Sequence, residues 1–513
     1  MSADPRVEPP RWSAASPGAG HRLRLRILVA LCLPLAVFYF GWLLEPSRVG
    51  NPVLYAVLVA AELFNLLQAL GFWWTCAGER PRRRRRASDG PPPEVDVLVP
   101  VYDEPADVVE PTIAAAVALR GARVRVWLLD DGGSDEMRAL AARNGACYIR
   151  RPRHDGAKAG NINNALAQTS APYVAVLDCD HVPLPRFLDA TLPQLEDPRV
   201  AFAQTPQCYA NAGAGDVAAA AWSQQALFFG AIARGKDGRH AMFCCGTNVV
   251  FARAALEDAG GFPQDSLTED FELSVRLHER GWRSVYVPEV LALGLGPEDM
   301  ASYVSQQHRW ARGCLSALPR VLRARLPWRT RVQYLLSCSY FLTGWTVLAY
   351  MSFPVLRILT GAQPLASAAA DQFLLHFAPY FGIALGMVAL MGTGTYTFRA
   401  FALQSASFWI HVHASLLTLL RRPGSFKVTP KRGAGGPQPR AVLPGLAAAT
   451  ALSAAIVLGL LGGRDPSTLN NVAFALVHLT VIGFGIAPAL RPARAAAPAE
   501  DERARAAPVQ WAA

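Results

Sequence analysis

Three clusters of side chains could do chemistry together. Thr268-Glu269-Asp270 opens a helical run carrying Phe271, Leu273, Val275 and Leu277, and Gln306-Gln307-His308-Arg309-Trp310 follows further along. A carboxylate at a helix start can take a proton, a guanidinium can hold an anion, and an indole can carry a flat, apolar ring face. Sugar transfer from a nucleotide donor requires those three groups. The third cluster, Asp178-Cys179-Asp180, sets two carboxylates one residue apart, so that both reach one hard cation. Mg2+ or Mn2+ bridging a diphosphate is its natural partner, because the cation neutralises a leaving group. Taken singly, Glu269 and Asp270 would merely complement a helix N-terminus. Their company with other acidic clusters favours a base, with Asp270 as the candidate.

These residues need a frame, and the chain from residue 94 supplies one. Apolar runs at 95–100, 124–129 and 173–177 read as buried strands with helical stretches between them. That alternation predicts a mostly parallel sheet with ligands at the carboxyl ends of its strands. Tyr102-Asp103-Glu104 follows the first strand, Asp130-Asp131-Gly132-Gly133 the second and Asp178-Cys179-Asp180 the third. An isolated Asp-Gly pair is usually a turn; three acidic clusters at three strand ends favour a site. His154-Asp155-Gly156-Ala157-Lys158-Ala159-Gly160-Asn161 precedes a helix, and Lys158 could meet phosphate there, though alone the segment is a weak signal. Gly246-Thr247-Asn248 reads as the sequel of an apolar strand at 242–245, and 284–287 reads as a further strand.

Of the 513 residues 52% are hydrophobic and 17% charged, and the apolar content is clustered, which predicts membrane segments beside a soluble unit. The net charge of +11 does not imply nucleic acid, because the arginines flank apolar runs as they do in cytoplasmic membrane loops. The nine cysteines lack zinc-ligand spacing and read as free thiols. Runs at 27–44 and 53–74 predict a hairpin of two spans, too long and too closely paired for a signal peptide. The basic block at 80–86 sets its end in the cytoplasm. Further spans are expected at 332–356, 373–396, 442–461 and 472–490. Residues 398–420 are long enough to cross, but Gln404, Ser407, His411, Ser415, Thr418 and Arg422 recur at helical spacing opposite Phe401, Phe408, Val412, Leu416 and Leu419. That pattern predicts a helix lying at the interface, with His411 and His413 at headgroup level. Six crossings then place the catalytic unit and both termini in the cytoplasm, in an integral inner-membrane protein.

The expected organisation is a disordered tail at 1–24, a transmembrane hairpin at 25–76, a basic and Pro-rich linker at 77–93 and a catalytic domain at 94–314. An interfacial segment at 315–331, two spans within 332–397 and an interfacial helix at 398–422 follow. A loop at 423–440, two spans within 441–490 and a disordered tail at 491–513 complete it.

With Asp131, Asp178-Cys179-Asp180, Thr268-Glu269-Asp270 and Gln306-x-x-Arg309-Trp310 in that order, the chain resembles the processive family 2 glycosyltransferases. Among them it is most similar to bacterial cellulose synthase catalytic subunits and related β-glucan synthases, over about residues 53–490. Phe426-Lys427-Val428-Thr429-Pro430-Lys431 matches the gating-loop motif of cellulose synthases. The resemblance implies an α/β, Rossmann-like GT-A catalytic domain docked under an α-helical transmembrane channel that passes a growing polysaccharide outward. It implies a UDP-sugar donor, UDP-glucose above others, with Tyr102 and Glu104 at the nucleotide pocket and Asp130 and Asp131 on uridine. It places Lys158 near the nucleotide, Asp178 and Asp180 at the metal, and Asp270 as base within Thr268-Glu269-Asp270. Gln306, Arg309 and Trp310 would hold diphosphate and stack the acceptor, Cys245, Gly246 and Thr247 would border it, and Phe426, Thr429 and Lys431 would close over the donor. An accessory export protein is compatible with it. The C-terminal PilZ domain of many cellulose synthases is not expected, so control by cyclic di-GMP in cis is not either, and a curdlan-like or mixed-linkage glucan stays open. Hyaluronan- or chitin-type synthesis, a non-processive transferase acting on a lipid carrier, and a transporter or sensor that binds nucleotide-sugars without chemistry are the rival readings.

Overall fold

A computed structural model describes residues 19–80, 90–366, 370–392, 395–422, 424, 436–462 and 465–491. Residues 1–18, most of the basic block (82–86), the gating motif with Phe426, Thr429 and Lys431, and the tail from 492 lie outside the described residues.

The valine-rich run predicted as the first strand becomes β1 (Glu94–Val101), buried from Val95 to Val99. It pairs in parallel with β2 (Arg123–Asp130) along its whole length and with β4 (Tyr173–Val176) on its other side. β3 (Cys147–Arg150) extends the sheet beyond β2. Two short strands, β5 (Val182–Pro183) and β7 (Cys208–Tyr209), join β10 (Ala292–Gly294) in a separate small sheet. The main sheet continues through β6 (Val200–Gln204), β8 (Val249–Ala252) and β9 (Arg283–Tyr286), in the order β3-β2-β1-β4-β8-β6-β9. The expectation of a mostly parallel sheet holds with one exception: β8 runs antiparallel to both β4 and β6. The apolar run at 242–245 is not a strand. It is irregular backbone that leads into β8, so Gly246-Thr247-Asn248 precedes a strand rather than following one.

Two helices, Ala19–Leu43 and Pro52–Cys76, open the described chain, the first packing chiefly on helix Ala370–Met391 and the second on helix Thr343–Thr360, and helix begins inside the stretch predicted as a tail. Six helical segments among the described residues are long and apolar enough to cross a bilayer: Leu23–Leu43, Pro52–Cys76, Trp328–Thr360, Gln372–Met391, Pro439–Gly462 and Pro466–Leu490. Three inter-helix links meet at one end of this bundle. Gly50 and Asn51 donate backbone hydrogen bonds to Pro364 (3.0 Å) and Gln363 (2.9 Å), and Ser467 Oγ donates to Gln363 Oε1 at 2.8 Å. The catalytic sheet packs against the other end, where Lys236 Nζ donates to Gln333 O (2.9 Å) and Ser337 Oγ (2.8 Å).

Two predicted interfacial elements differ. Residues 315–331 do not form a separate segment along the headgroups. A continuous helix, Met300–Arg323, carries the Gln-x-x-Arg-Trp motif and runs on into this stretch, and the third span begins at Trp328. Val321 and Ala317 pack on Phe271 and Val275, and Arg320 donates to Glu279 Oε2 at 2.8 Å, so part of the basic face serves the catalytic domain. Residues 398–422 form two helices, Phe398–Ala406 and Phe408–Leu419, and their polar side is turned inward. His411 is buried beside Thr343, and Ser415 Oγ accepts from Trp345 Nε1 at 2.8 Å. Leu419 and Leu420 point outward, 79% and 65% exposed. The polar stripe of helix Phe408–Leu419 thus serves the interior of the protein. His411 and His413 point apart, as two residues of spacing on a helix dictates: His411 is buried, and His413 Nδ1 meets His308 Nε2 of the Gln-x-x-Arg-Trp helix at 3.1 Å.

Candidate active site

Asp270 stands in the first turn of helix Glu269–Glu279, next to β9. The turn is anchored through Ser274, whose Oγ donates to Asp270 O and accepts from Cys244 N, both at 2.8 Å. Burial, and then the neighbouring Glu269 carboxylate, push the Asp270 carboxyl up to about 7, against the pull of the Phe271 N–H, Lys158 and Arg309. A carboxyl poised there suits a proton acceptor near neutral pH.

Lys158 links this carboxyl to the acidic pair. It ion-pairs with Asp178 and donates to Gly246 O at 2.8 Å. Burial alone would lower the lysine, but Asp178 and Glu269 outweigh it and its pKa is raised, so the ammonium stays charged. Asp178 N donates to Thr247 Oγ1 at 2.8 Å. Asp178, Asp180 and His181 present ligand atoms all within 4.8 Å of one another, with Asp180 and His181 buried. Two carboxylates and an imidazole, with a lysine ammonium already drawn to one of them, fit a divalent cation. His181 Nε2 is buried without a hydrogen-bond partner, an atom available to a ligand.

The loop between the acidic pair and the base is held from below by a residue that the motifs do not mark. Gln204, fully buried at the end of β6, accepts from Cys245 N (2.9 Å) and donates to Thr247 O (2.8 Å), while Gln207 donates to Cys245 O at 2.7 Å. This brings Cys245, Gly246 and Thr247 between Asp178 and Asp270. Gly246 has φ +81°, and a Cβ there would stand 3.0 Å from Asp270 Oδ2. Gly246→Ala is therefore expected to lower turnover by about tenfold, since left-handed strain of ~1–2 kcal/mol adds to pressure on the base. Steady-state rates taken well below the melting point would check it, with the melting temperature itself expected to fall by a few degrees because of the strain.

Gly313 sets the approach of the second motif. A Cβ on it would meet Thr268 Cγ2 at 2.3 Å, so only glycine lets helix Met300–Arg323 lie on the start of the Asp270 helix. One turn earlier on that helix, Arg309 acts on the Asp270 carboxyl electrostatically, and Gln306 and Trp310 face the same cavity as Asp270 and Thr268.

The donor-side residues are less uniform. Asp130 is spent on its own turn, accepting from the N–H groups of Gly132, Gly133 and Ser134 and from Tyr148 OH at 2.7–2.9 Å. Asp131 is held by a bidentate pair with Arg151 at 2.6 and 2.7 Å. Tyr102 is 53% exposed at the rim, and Glu104 accepts from Tyr102 N. The Asp-Gly pair thus forms a turn at the end of β2. His181, Gln204, Gln207 and Arg151 escaped sequence reasoning; only His181, adjacent to the acidic pair, carried a signal.

From Asp270 and Trp310 a cavity of about 1200 Å³ extends into the helical bundle. Its walls include Phe341, Tyr350 and Tyr380, and it reaches Gln363, Ser467 and Asn471 at the opposite end, where the three links meet.

Residues 173–391 match the Glycosyl transferase family group 2. Over 459 residues the chain is 30% identical to "Cellulose synthase 2" of Novacetimonas hansenii, covering 85% of this chain and 28% of that protein. Over 431 residues it is 30% identical to a UDP-forming cellulose synthase catalytic subunit of Pseudomonas fluorescens, covering 80% of this chain and 58% of the relative. The chain thus spans between about a quarter and three fifths of the length of these relatives. Among solved structures, a mannosyltransferase from Pyrobaculum calidifontis in complex with GDP-Man and Mn2+ superposes with a TM-score of 0.54 at 17% identity, over 72% of this chain and 99% of that one. That likeness concerns the fold.

Proposed function

From a chain that carries a family 2 glycosyltransferase domain and is homologous to bacterial cellulose synthase catalytic subunits, we propose a membrane-embedded, processive, inverting glycosyltransferase. It builds a β-glucan from UDP-glucose and passes the product through its own helical bundle. The observation that carries this reading is the cavity that begins at Asp270 and Trp310 and ends at the far links. A transferase that released a short lipid-linked sugar would need no such passage. The lining also suits a sugar polymer: it combines aromatic side chains (Trp310, Phe341, Tyr350) with amides (Asn65, Gln224, Gln404), which match ring faces and hydroxyls respectively.

In this mechanism Asp270 removes the proton from the acceptor hydroxyl. The oxygen forms a bond to the anomeric carbon as the bond from that carbon to the diphosphate breaks, and UDP departs with the electron pair. Asp178 and Asp180, with His181 beside them, would hold Mg2+ or Mn2+, which when bound neutralises charge on the leaving diphosphate. Arg309 and Lys158 add fixed positive charge on the same side. Trp310 holds the acceptor by stacking, a contact that each new sugar can renew as the chain advances. Tyr102, Glu104, Asp130 and Asp131 border the nucleotide, and Cys245, Gly246 and Thr247 the acceptor. The catalytic domain and both termini face the cytoplasm.

The test is to give purified protein in lipid nanodiscs separate UDP-sugars with Mg2+ or Mn2+, measure UDP release, size the product and digest it with linkage-specific glucanases. Long polymer from UDP-glucose supports the reading; short lipid-linked sugar, or no UDP release from any donor, overturns it. The pH profile provides a further check. The base works deprotonated, and its pKa is raised to about 7, so kcat is expected to fall about tenfold per unit as pH drops below about 7. A profile flat down to about pH 5 would remove Asp270 from that role.

A further inference from the structure

The cavity contains one carboxylate that catalysis does not use. Glu62 lies about 15 Å along helix Pro52–Cys76 from its Pro52 end, near the middle of that span. It is 6% exposed and borders the passage together with Tyr39, Asn65, Tyr350 and Tyr380. Tyr350 OH donates to Glu62 Oε1 at 3.0 Å and accepts from Asn65 Nδ2 at 2.9 Å. The Tyr39 hydroxyl is a second hydrogen-bonding neighbour of Glu62. The hydroxyl of Tyr350, with its lone pair engaged by Asn65, points its proton at Glu62 and so suits an acceptor-only carboxylate. Among the described residues Glu62 forms no ion pair, and the lining of the cavity contains one lysine, Lys236, at the catalytic-domain end. An intramembrane carboxylate facing a cavity is costly unless it has a task.

We propose that Glu62, framed by Tyr39, Tyr350 and Asn65, is a charge filter that lets an uncharged, hydroxyl-rich chain pass and rejects one bearing uronate groups. The hydroxyls of a neutral sugar can donate to its free lone pairs. A uronate can only add a second negative charge beside Glu62, where, away from Lys236 at the catalytic-domain end, no lysine or arginine lines the passage to offset it. This inference rests on the polymer-passage reading and narrows it: the product is a neutral glycan, and a hyaluronan-type polymer with alternating uronates is excluded by the passage itself.

The probe is a pair of fluorescently tagged oligosaccharides, a gluco-hexaose and its C6-oxidised, uronate-bearing counterpart, prepared in both β-1,4 and β-1,3 linkage. Equilibrium binding to the full chain in nanodiscs is measured at about pH 8, where carboxylates carry their charge. The neutral hexaose is expected to bind at least about tenfold more tightly than the uronate form, a ratio typical of one uncompensated charge contact. Glu62→Gln, which keeps an acceptor for both tyrosines, should remove most of that ratio by strengthening uronate binding, while Glu62→Asp should keep it. Equal binding of the two probes by the wild type, or a ratio that survives Glu62→Gln, would overturn the filter and leave the passage reading intact. Failure of every neutral probe to bind would overturn both.

Discussion

Asp270→Asn is expected to stop sugar transfer, with kcat lowered by about 10²–10⁴-fold, the span that a positioned general base contributes. UDP binding should hardly change, because Asp270 is not among the Asp178, Asp180 and His181 ligand atoms that would hold the diphosphate's cation. The same substitution is expected to leave the fold at least as stable. A carboxyl whose folded pKa is raised to about 7 destabilises the native state once pH passes above its unfolded value near 4, and the penalty is complete above about 7. Asparagine removes that penalty. Thermal melting together with UDP titration calorimetry would separate a lost base from a lost fold. Polymer formed by the variant at the wild-type rate would show that another group takes the proton.

Asp180→Asn is expected to have the next largest effect. Asp180 is buried beside His181 and within 4.8 Å of the Asp178 and His181 ligand atoms, so its replacement removes a charge that nothing nearby replaces. Turnover should drop by about 10²–10³-fold, the scale for losing one group that stabilises developing charge. Mn2+ titrations of UDP release should show a weakened metal requirement curve in the variant, and chelation should silence the wild type reversibly. If the variant kept the wild-type dependence on Mn2+, the acidic pair would not be the metal site. Asp178 is the less clean target, because its removal would also free the Lys158 ammonium near Asp270.

The acidic clusters were legible in the sequence for a reason that is local. A strand end, a short polar insertion and a helix start are each encoded within a few residues, and β1, β2 and β4 with their following acids appeared where the valine-rich runs placed them. Spans were legible too, since length and hydropathy act along one helix. What the two amphipathic elements pack against was not legible, because an amphipathic stripe does not state which side meets the rest of the protein. His411 turns inward to Thr343, and Leu419 turns out, because the neighbours of the polar side of that helix are other helices.

The kinds of residue needed for transfer, their order along the chain and the number of apolar helices were determined by the sequence alone. What the tertiary structure decided is convergence. Asp178, Lys158 and Asp270 meet because β8 reverses direction between β4 and β6, which swings the Cys245–Thr247 loop, pinned by Gln204, between two strand ends. Trp310 joins them because Gly313 leaves room for Thr268, and the passage beyond exists because Glu62, Tyr350 and Tyr380, far apart in the chain, face one space. Such contacts depend on packing between distant segments, which no local spacing of residue types encodes.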